Sequence, residues 1–224
     1  MTEPRSSGRS GDFVPGTHVF DTVGSETLYE GAIIALRRDQ VVMPDGHPAA
    51  REVVEHYGAV AVAAIDESDR LVLVRQYRHP VGARLLELPA GLLDSPGEDP
   101  LDAAKRELAE ETGLAACTWS VLVDIALSPG FTDEALRIYL AEDLTEIERP
   151  EPEHEEIDLE LVRMPLADVV ALVFSGEVVN ATAVAGVLSV AAARAGHVAL
   201  RPADSPWAGR PTAFAARKAG GPAT

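Results

Sequence analysis

From residue 17 onward the chain alternates short apolar runs with polar or glycine- and proline-bearing breaks, the pattern of strands joined by turns. HVFDTV, TLYEGAIIALRRDQVVM and REVVEHYGAV, with PDGHP before the last, predict a small antiparallel sheet. A sheet of that size is too small to stand alone and needs another surface to cover it. AVAVAAI and LVLVRQYRH follow across the turn DESD, and residues 85–88 give a short strand entering Pro89-Ala90-Gly91. WSVLVDIAL and ALRIYLAEDL flank the loop SPGFTDE, and LELVRMP predicts one more strand. LADVVALVFSG and NATAVAGVLSVAAARAG predict helices ended by glycine, the second rich in small residues that allow close packing. Strands mixed with helices on either side indicate an α/β or α+β domain.

The sharpest local pattern is GLLDSPGEDPLDAAKRELAEETGL, residues 91–114. Asp99 and Pro100 read as a helix cap followed by proline at the first helical position, with Asp102 close behind. Leu101, Ala104 and Leu108 recur at three and four residues and form one apolar face, and Gly113 is the stop. Glu107, Glu110 and Glu111 fall in the last turns on a neighbouring face. There they repel one another and oppose the negative end of the helix dipole. A solvated acidic helix end accounts for the spacing; so does a divalent cation, and oxygen ligands at this density suit Mg²⁺ or Mn²⁺ better than zinc.

Composition narrows the partners. The 224 residues divide into a disordered start (1–15), the sheet region (16–58), a main domain (59–200) and an irregular tail (201–224) that Trp207 and Phe214 tether. A net charge of −17 repels nucleic-acid phosphates and anionic membranes, so neither is an expected partner. An anionic substrate therefore needs metal and locally placed arginines. Cys117 is the single cysteine, which excludes an intrachain disulfide, and it reads as a small core residue. No apolar run spans a membrane and the polar start has no signal-peptide core, so a soluble cytoplasmic protein is expected.

Glu98, seven intervening residues, then Arg106-Glu107-Leu108-x-Glu110-Glu111-x-Gly113-Leu114 resembles the signature of Nudix hydrolases. Gly91 and Glu98 are separated by six residues where that signature has five, an insertion a Pro/Gly loop absorbs. ELPAGLLD before the signature, SPGFTDE after it, REVVEH and VRQYRH upstream, and Pro129 fifteen residues past Leu114 are similar to ADP-ribose pyrophosphatases. The resemblance runs from about Phe20 to Phe214. It implies an α/β/α sandwich with a mixed sheet, and a homodimer in which the N-terminal sheet reaches across to the partner.

It also implies roles. Glu107, Glu110 and Glu111 would hold Mg²⁺ (or Mn²⁺) with the Ala90 carbonyl. Arg106 would orient a glutamate, and Glu98 would be structural. The acidic loop EIERPEPEHEEIDL offers Glu153, Glu155, Glu156 and Asp158 as bases; the resemblance favours Glu156, which would also bind metal, with Asp158 or Glu155 near a metal. Arg51 and Arg78 are clamps for adenosine and diphosphate, because arginine both stacks and forks onto phosphate. Glu134, with Ser128, would accept hydrogen bonds from the terminal ribose. The expected reaction is Mg²⁺-dependent hydrolysis of ADP-ribose to AMP and ribose 5-phosphate. Its rivals are another nucleoside diphosphate sugar or NADH as substrate, and a non-catalytic sensor of ADP-ribose.

Overall fold

The structure is a computed structural model that describes residues 19–151, 157–196 and 198–220. The N-terminal sheet is antiparallel, with β1 (Thr22–Glu30), β2 (Ile34–Val42) and β3 (Pro48–His56) in that order. The turn between β2 and β3 closes at Gly46, whose positive φ of 82° suits a residue without a side chain. β4 (Ala59–Ala64), β5 (Arg70–Arg78), β6 (Ala83–Glu87) and β7 (Ala90–Leu92) lead to helix α1 (Pro100–Thr112). β8 (Leu114–Ala126) and β9 (Ala135–Glu146) form a long hairpin around SPGFTDE. β10 (Glu160–Pro165), α2 (Leu166–Ser175), α3 (Ala181–Arg194), β11 (Arg201–Pro202) and α4 (Ala213–Lys218) complete the chain.

The central sheet has the order β11-β8-β9-β4-β7 and is mixed: β4 runs parallel to β9, and the other pairs are antiparallel. A smaller antiparallel sheet, β10-β5-β6, packs with it. β4 is apolar at every position because both its faces are covered. Val60, Val62 and Ala64 meet Ala104 and Leu108 of α1; Ala59, Ala61 and Ala63 meet the cluster holding Val187 and Val190 of α3. The mixed sheet thus carries α1 on one side and α3 on the other, and β4 ends between them.

Two expectations are corrected. Cys117 is exposed. It lies in the outer half of β8, opposite the irregular Asp143 (φ 56°), where among the described residues β8 pairs with β9 alone. The stretch 201–224, expected to be irregular, contains β11 and α4. The tethers hold: Phe214 is fully buried against Tyr57, and Trp207 stacks over the Arg137 guanidinium at 5.1 Å. Among the described residues no helix is long and apolar enough to cross a membrane.

Candidate active site

α1 forms as its sequence dictates. The Asp99 side chain accepts from the Leu101 N–H at 2.9 Å, and Gly113 ends the helix in the left-handed conformation at φ 67°. Ala104 and Leu108 anchor one face, which turns the glutamate face toward β7. Arg106 is the hub of that face. It forks onto Glu98 (Nε to Oε1 3.0 Å, Nη2 to Oε2 3.1 Å), while Nη1 donates to Glu107 Oε1 at 2.7 Å and Glu110 Oε2 at 2.9 Å. The bond to Glu98, ahead of the cost of burial and the help of Glu107 and Glu110, holds the guanidinium charged more firmly than an ordinary arginine. The additional residue between Gly91 and Glu98 does not stop Glu98 from reaching it.

The helix docks on β7 through backbone. The Ala90 N–H donates to Glu111 Oε2 at 3.0 Å, and Glu111 is buried. Glu107 lies so close to Gly91 that a Cβ there would stand 1.9 Å from Oε1, so a side chain at 91 would push the Glu107 carboxylate from its place. Arg149, from the strand-β9 exit, closes the C-terminal end: its Nε donates to the Glu110 carbonyl at 2.7 Å, where α1 has no basic residue of its own. Its Nη2 is buried with no hydrogen-bond partner among the described residues.

On the other side of β7 is a cavity of about 650 Å³ lined by Ala90, Gly91 and Leu92, by Arg78 and Glu87, and by His56, Glu134 and the start of α3. Arg78 forks onto the buried Glu87, with Nη2 to Oε2 at 2.7 Å, and Gln76 Nε2 approaches the same oxygen at 3.4 Å. The loop SPGFTDE is stapled to β3: Val54 N–H donates to the Phe131 carbonyl at 2.7 Å, Thr132 Oγ1 to the Val54 carbonyl at 2.9 Å, and His56 N–H to Asp133 Oδ1 at 2.9 Å. Burial pushes the Asp133 carboxyl up, against the pull of that His56 bond. Glu134 follows, 3.8 Å from His56 Nδ1. His56 Nδ1 accepts from the Gly58 N–H at 3.2 Å.

A helix with this carboxylate face, buttressed by a glycine strand at the lip of a cavity, is accompanied by a match of the NUDIX domain to residues 55–183. The chain belongs to the NUDIX family. Residues 20–54 match the nucleoside diphosphate sugar hydrolase N-terminal domain. The NUDIX chain is 55% identical over 202 residues to the ADP-ribose pyrophosphatase of Mycobacterium tuberculosis (strain ATCC 25618 / H37Rv), covering 90% of this chain and 98% of the relative. It is 38% identical over 160 residues to that of Bacillus subtilis (strain 168), covering 71% and 86%. A crystal structure of an ADP compounds hydrolase superposes with a TM-score of 0.67 at 26% identity, over 81% of this chain and 98% of that one.

Of the residues singled out in the sequence, Arg106, Glu107, Glu110, Glu111 and Ala90 come together at β7, and Arg78 and Glu134 line the cavity. Arg51 and Ser128 are not part of that lining. Arg51 is exposed and donates to the Ala50 carbonyl and Met43 Sδ; Ser128 gives its carbonyl to the Phe131 and Thr132 N–H groups. Glu153, Glu155 and Glu156 lie outside the described residues. Asp158 is ion-paired with Arg84. His56, Glu87 and the start of α3 are additions that the sequence pattern did not single out. Glu87 had a signal: a glutamate within a short apolar strand needs a cationic partner, and Arg78 was at hand.

Proposed function

We propose that the protein hydrolyses ADP-ribose with Mg²⁺, giving AMP and ribose 5-phosphate. The observation that carries this reading is the convergence of Glu107 and Glu111 on the Ala90-Gly91 strand, at the mouth of a cavity large enough for a nucleotide.

The donor set fits the metal. Among the described residues no three acidic, histidine or cysteine side chains stand close enough to cage an ion, because Arg106 draws Glu107 and Glu110 onto itself. Yet Arg106 meets three carboxylates with one positive charge. All the nearby donors are oxygens, and Gly91 keeps the strand open beside Glu107. Glu107, Glu110, Glu111 and the Ala90 carbonyl would hold Mg²⁺, with Mn²⁺ as a substitute. Bound there, the ion would offset phosphoryl charge and favour ionisation of water.

The chain's own groups do the rest. Arg78, fixed by Glu87, positions the diphosphate, and Glu134 takes the ribose hydroxyls. Glu156 removes the proton from water as its oxygen bonds to one phosphorus; the bridging P–O bond breaks, and that oxygen leaves on the other phosphate. We assign a homodimer to the same reading. Val19, Phe20, Val23 and Tyr29 on and beside β1 are exposed apolar residues on an edge of the N-terminal sheet, an area that a second copy would cover. Arg51 would then serve the partner's cavity rather than its own. The lone cysteine agrees with a reducing cytoplasm.

The test is turnover of ADP-ribose with and without Mg²⁺, with nucleotide products resolved, beside NADH, ADP-glucose and GDP-mannose. Mg²⁺-dependent AMP release strongest on ADP-ribose is expected. Stronger turnover of another compound keeps the glutamate helix and discards the substrate residues; binding of ADP-ribose without turnover makes the protein a sensor.

A further inference from the structure

The last turn of α1 is the least secure part of the glutamate face. Glu110 and Glu111 lie in it, their charges repel, and both oppose the negative end of the helix dipole. The final carbonyls of a helix have no partner within it. Gly113 N–H meets the Ala109 carbonyl at 2.9 Å, and the chain then enters β8 at Leu114, where the helical ladder ends.

The next donor comes from a different element. The chain leaving β9 runs past the end of α1: Ile147 N–H donates to the Gly113 carbonyl at 2.9 Å, and Arg149 Nε to the Glu110 carbonyl at 2.7 Å. The Arg149 stem rests on the helix stop, where a Cβ on Gly113 would stand 3.2 Å from Arg149 Cβ. Glu110 is therefore held twice, its carbonyl by Arg149 and its carboxylate by Arg106. The grip is not a simple stabilising pair. Nη2 of Arg149 is buried without a partner among the described residues, and an unmet buried donor costs stability.

We propose that Arg149 is a positioning residue for the glutamates that would hold the metal. Its bond to the Glu110 carbonyl fixes the last turn of α1, and with it the directions in which Glu110 and Glu111 present their carboxylates to a divalent cation. The inference rests on the metal reading above. Two effects of this side chain on cation binding have opposite signs. As a positive charge beside carboxylates it repels a cation, so its removal would tighten binding, by a few-fold at most where solvent and salt screen the charges. As a donor it orients the ligands from behind, and losing such a support typically weakens a metal site about 10- to 100-fold. The second effect is the larger, so removal loosens binding.

The experiment compares two uncharged variants of the full chain. Arg149→Gln carries an amide nitrogen at the place of Nε and keeps the bond; Arg149→Met has the same length and no donor. Mn²⁺ binding is read without substrate, from the paramagnetic resonance of the free ion, and ADP-ribose turnover is measured separately in Mg²⁺. Arg149→Met should weaken Mn²⁺ about tenfold and lower kcat by a similar factor, with KM within about twofold. Arg149→Gln should return both Mn²⁺ affinity and kcat to within about threefold of wild type. Equal Mn²⁺ affinity in the two variants overturns the proposal, as does tighter binding in Arg149→Met than in wild type, or a loss confined to its melting temperature. If Arg149→Met does not fold, Arg149→Ala takes its place in the same comparison. Wild-type protein that binds Mn²⁺ but does not cleave ADP-ribose refutes the substrate alone, and the Mn²⁺ comparison still decides Arg149. Wild-type protein that binds no Mn²⁺ overturns the metal reading and the role of Arg149 together.

Discussion

Two charge clusters in this molecule have opposite arithmetic. On α1 one guanidinium, Arg106, serves three carboxylates, Glu98, Glu107 and Glu110, all partly open to solvent. At the inner end of β3 one carboxylate, Glu55, is served by two guanidiniums, Arg37 (Nη1 to Oε1 2.6 Å) and Arg217 (Nε to Oε2 2.8 Å), and is buried. The first cluster is left negative, and the second is matched once Asp39, which Arg37 also holds (Nε to Oδ2 2.9 Å), is counted. A surplus of carboxylate costs stability, and a cation received there would offset that cost. A matched, buried set joins elements instead, here β2, β3 and α4. Counting ion pairs would have ranked the two alike; the balance of charge tells them apart.

That contrast can be broken at either cluster. Glu107→Gln or Glu111→Gln should lower turnover of ADP-ribose roughly 10³-fold, about 4 kcal/mol, with little change in melting temperature. Near-normal turnover at saturating Mg²⁺ would remove these residues from the metal site. Glu55→Ala should do the reverse: a loss of about 3 kcal/mol in denaturant unfolding, because Arg37 and Arg217 both lose their bonds to Glu55, with turnover per folded molecule kept. A variant as stable as wild type would show that the buried cluster is not a lock. Arg149→Ala removes the cation at the end of α1 and its bond to the Glu110 carbonyl. It should cost about 1 kcal/mol and lower kcat more than it raises KM, as steady-state kinetics would reveal.

The smallest effect is in acid. Burial alone would raise the Glu55 carboxyl, but the bonds from Arg217 and Arg37 outweigh it and hold the group below the usual glutamate range. Its contribution is therefore complete above about pH 4.3 and is lost as pH falls through the lower folded value. The stability gap between wild type and Glu55→Gln should be constant from pH 7 to 5 and narrow below 4 in thermal melts. A gap that narrows already at pH 6 would point to another group. Asp133, raised by burial, works the other way: its share is present in acid and fades as pH rises through its folded value.

α1 was legible in the sequence because everything that makes it is local. Asp99, Pro100 and Gly113 cap it, and the apolar spacing gives its face. The strand runs were legible for the same reason, and so was the mixture of strands and helices. The cavity was not, because its walls come from β3, β5, β6, β7, the loop after β8 and α3, which no spacing connects. A lone histidine such as His56, or a threonine inside an alanine-rich helix, gives no signal until the fold shows what it faces. Cys117 was misplaced because residue type reports average burial, whereas its exposure is set by the bare outer half of β8.

The C-terminal helix adds a matter of timing. Arg217 is made 162 residues after Glu55 and 190 after Thr27, yet it binds both, with Nη1 to Thr27 Oγ1 at 2.8 Å. On the way to it, Arg210 Nη2 reaches the Glu98 carbonyl at 3.4 Å and Pro211 covers Gly58. At roughly 5–20 residues per second, a ribosome takes some ten to thirty seconds between the two ends of that contact. For that interval the nascent N-terminal sheet carries Glu55 with Arg37 alone, and it gains its second cation only when α4 emerges. A nascent chain arrested before residue 211 should therefore be cut by protease within β1–β3, and one extended past α4 should resist.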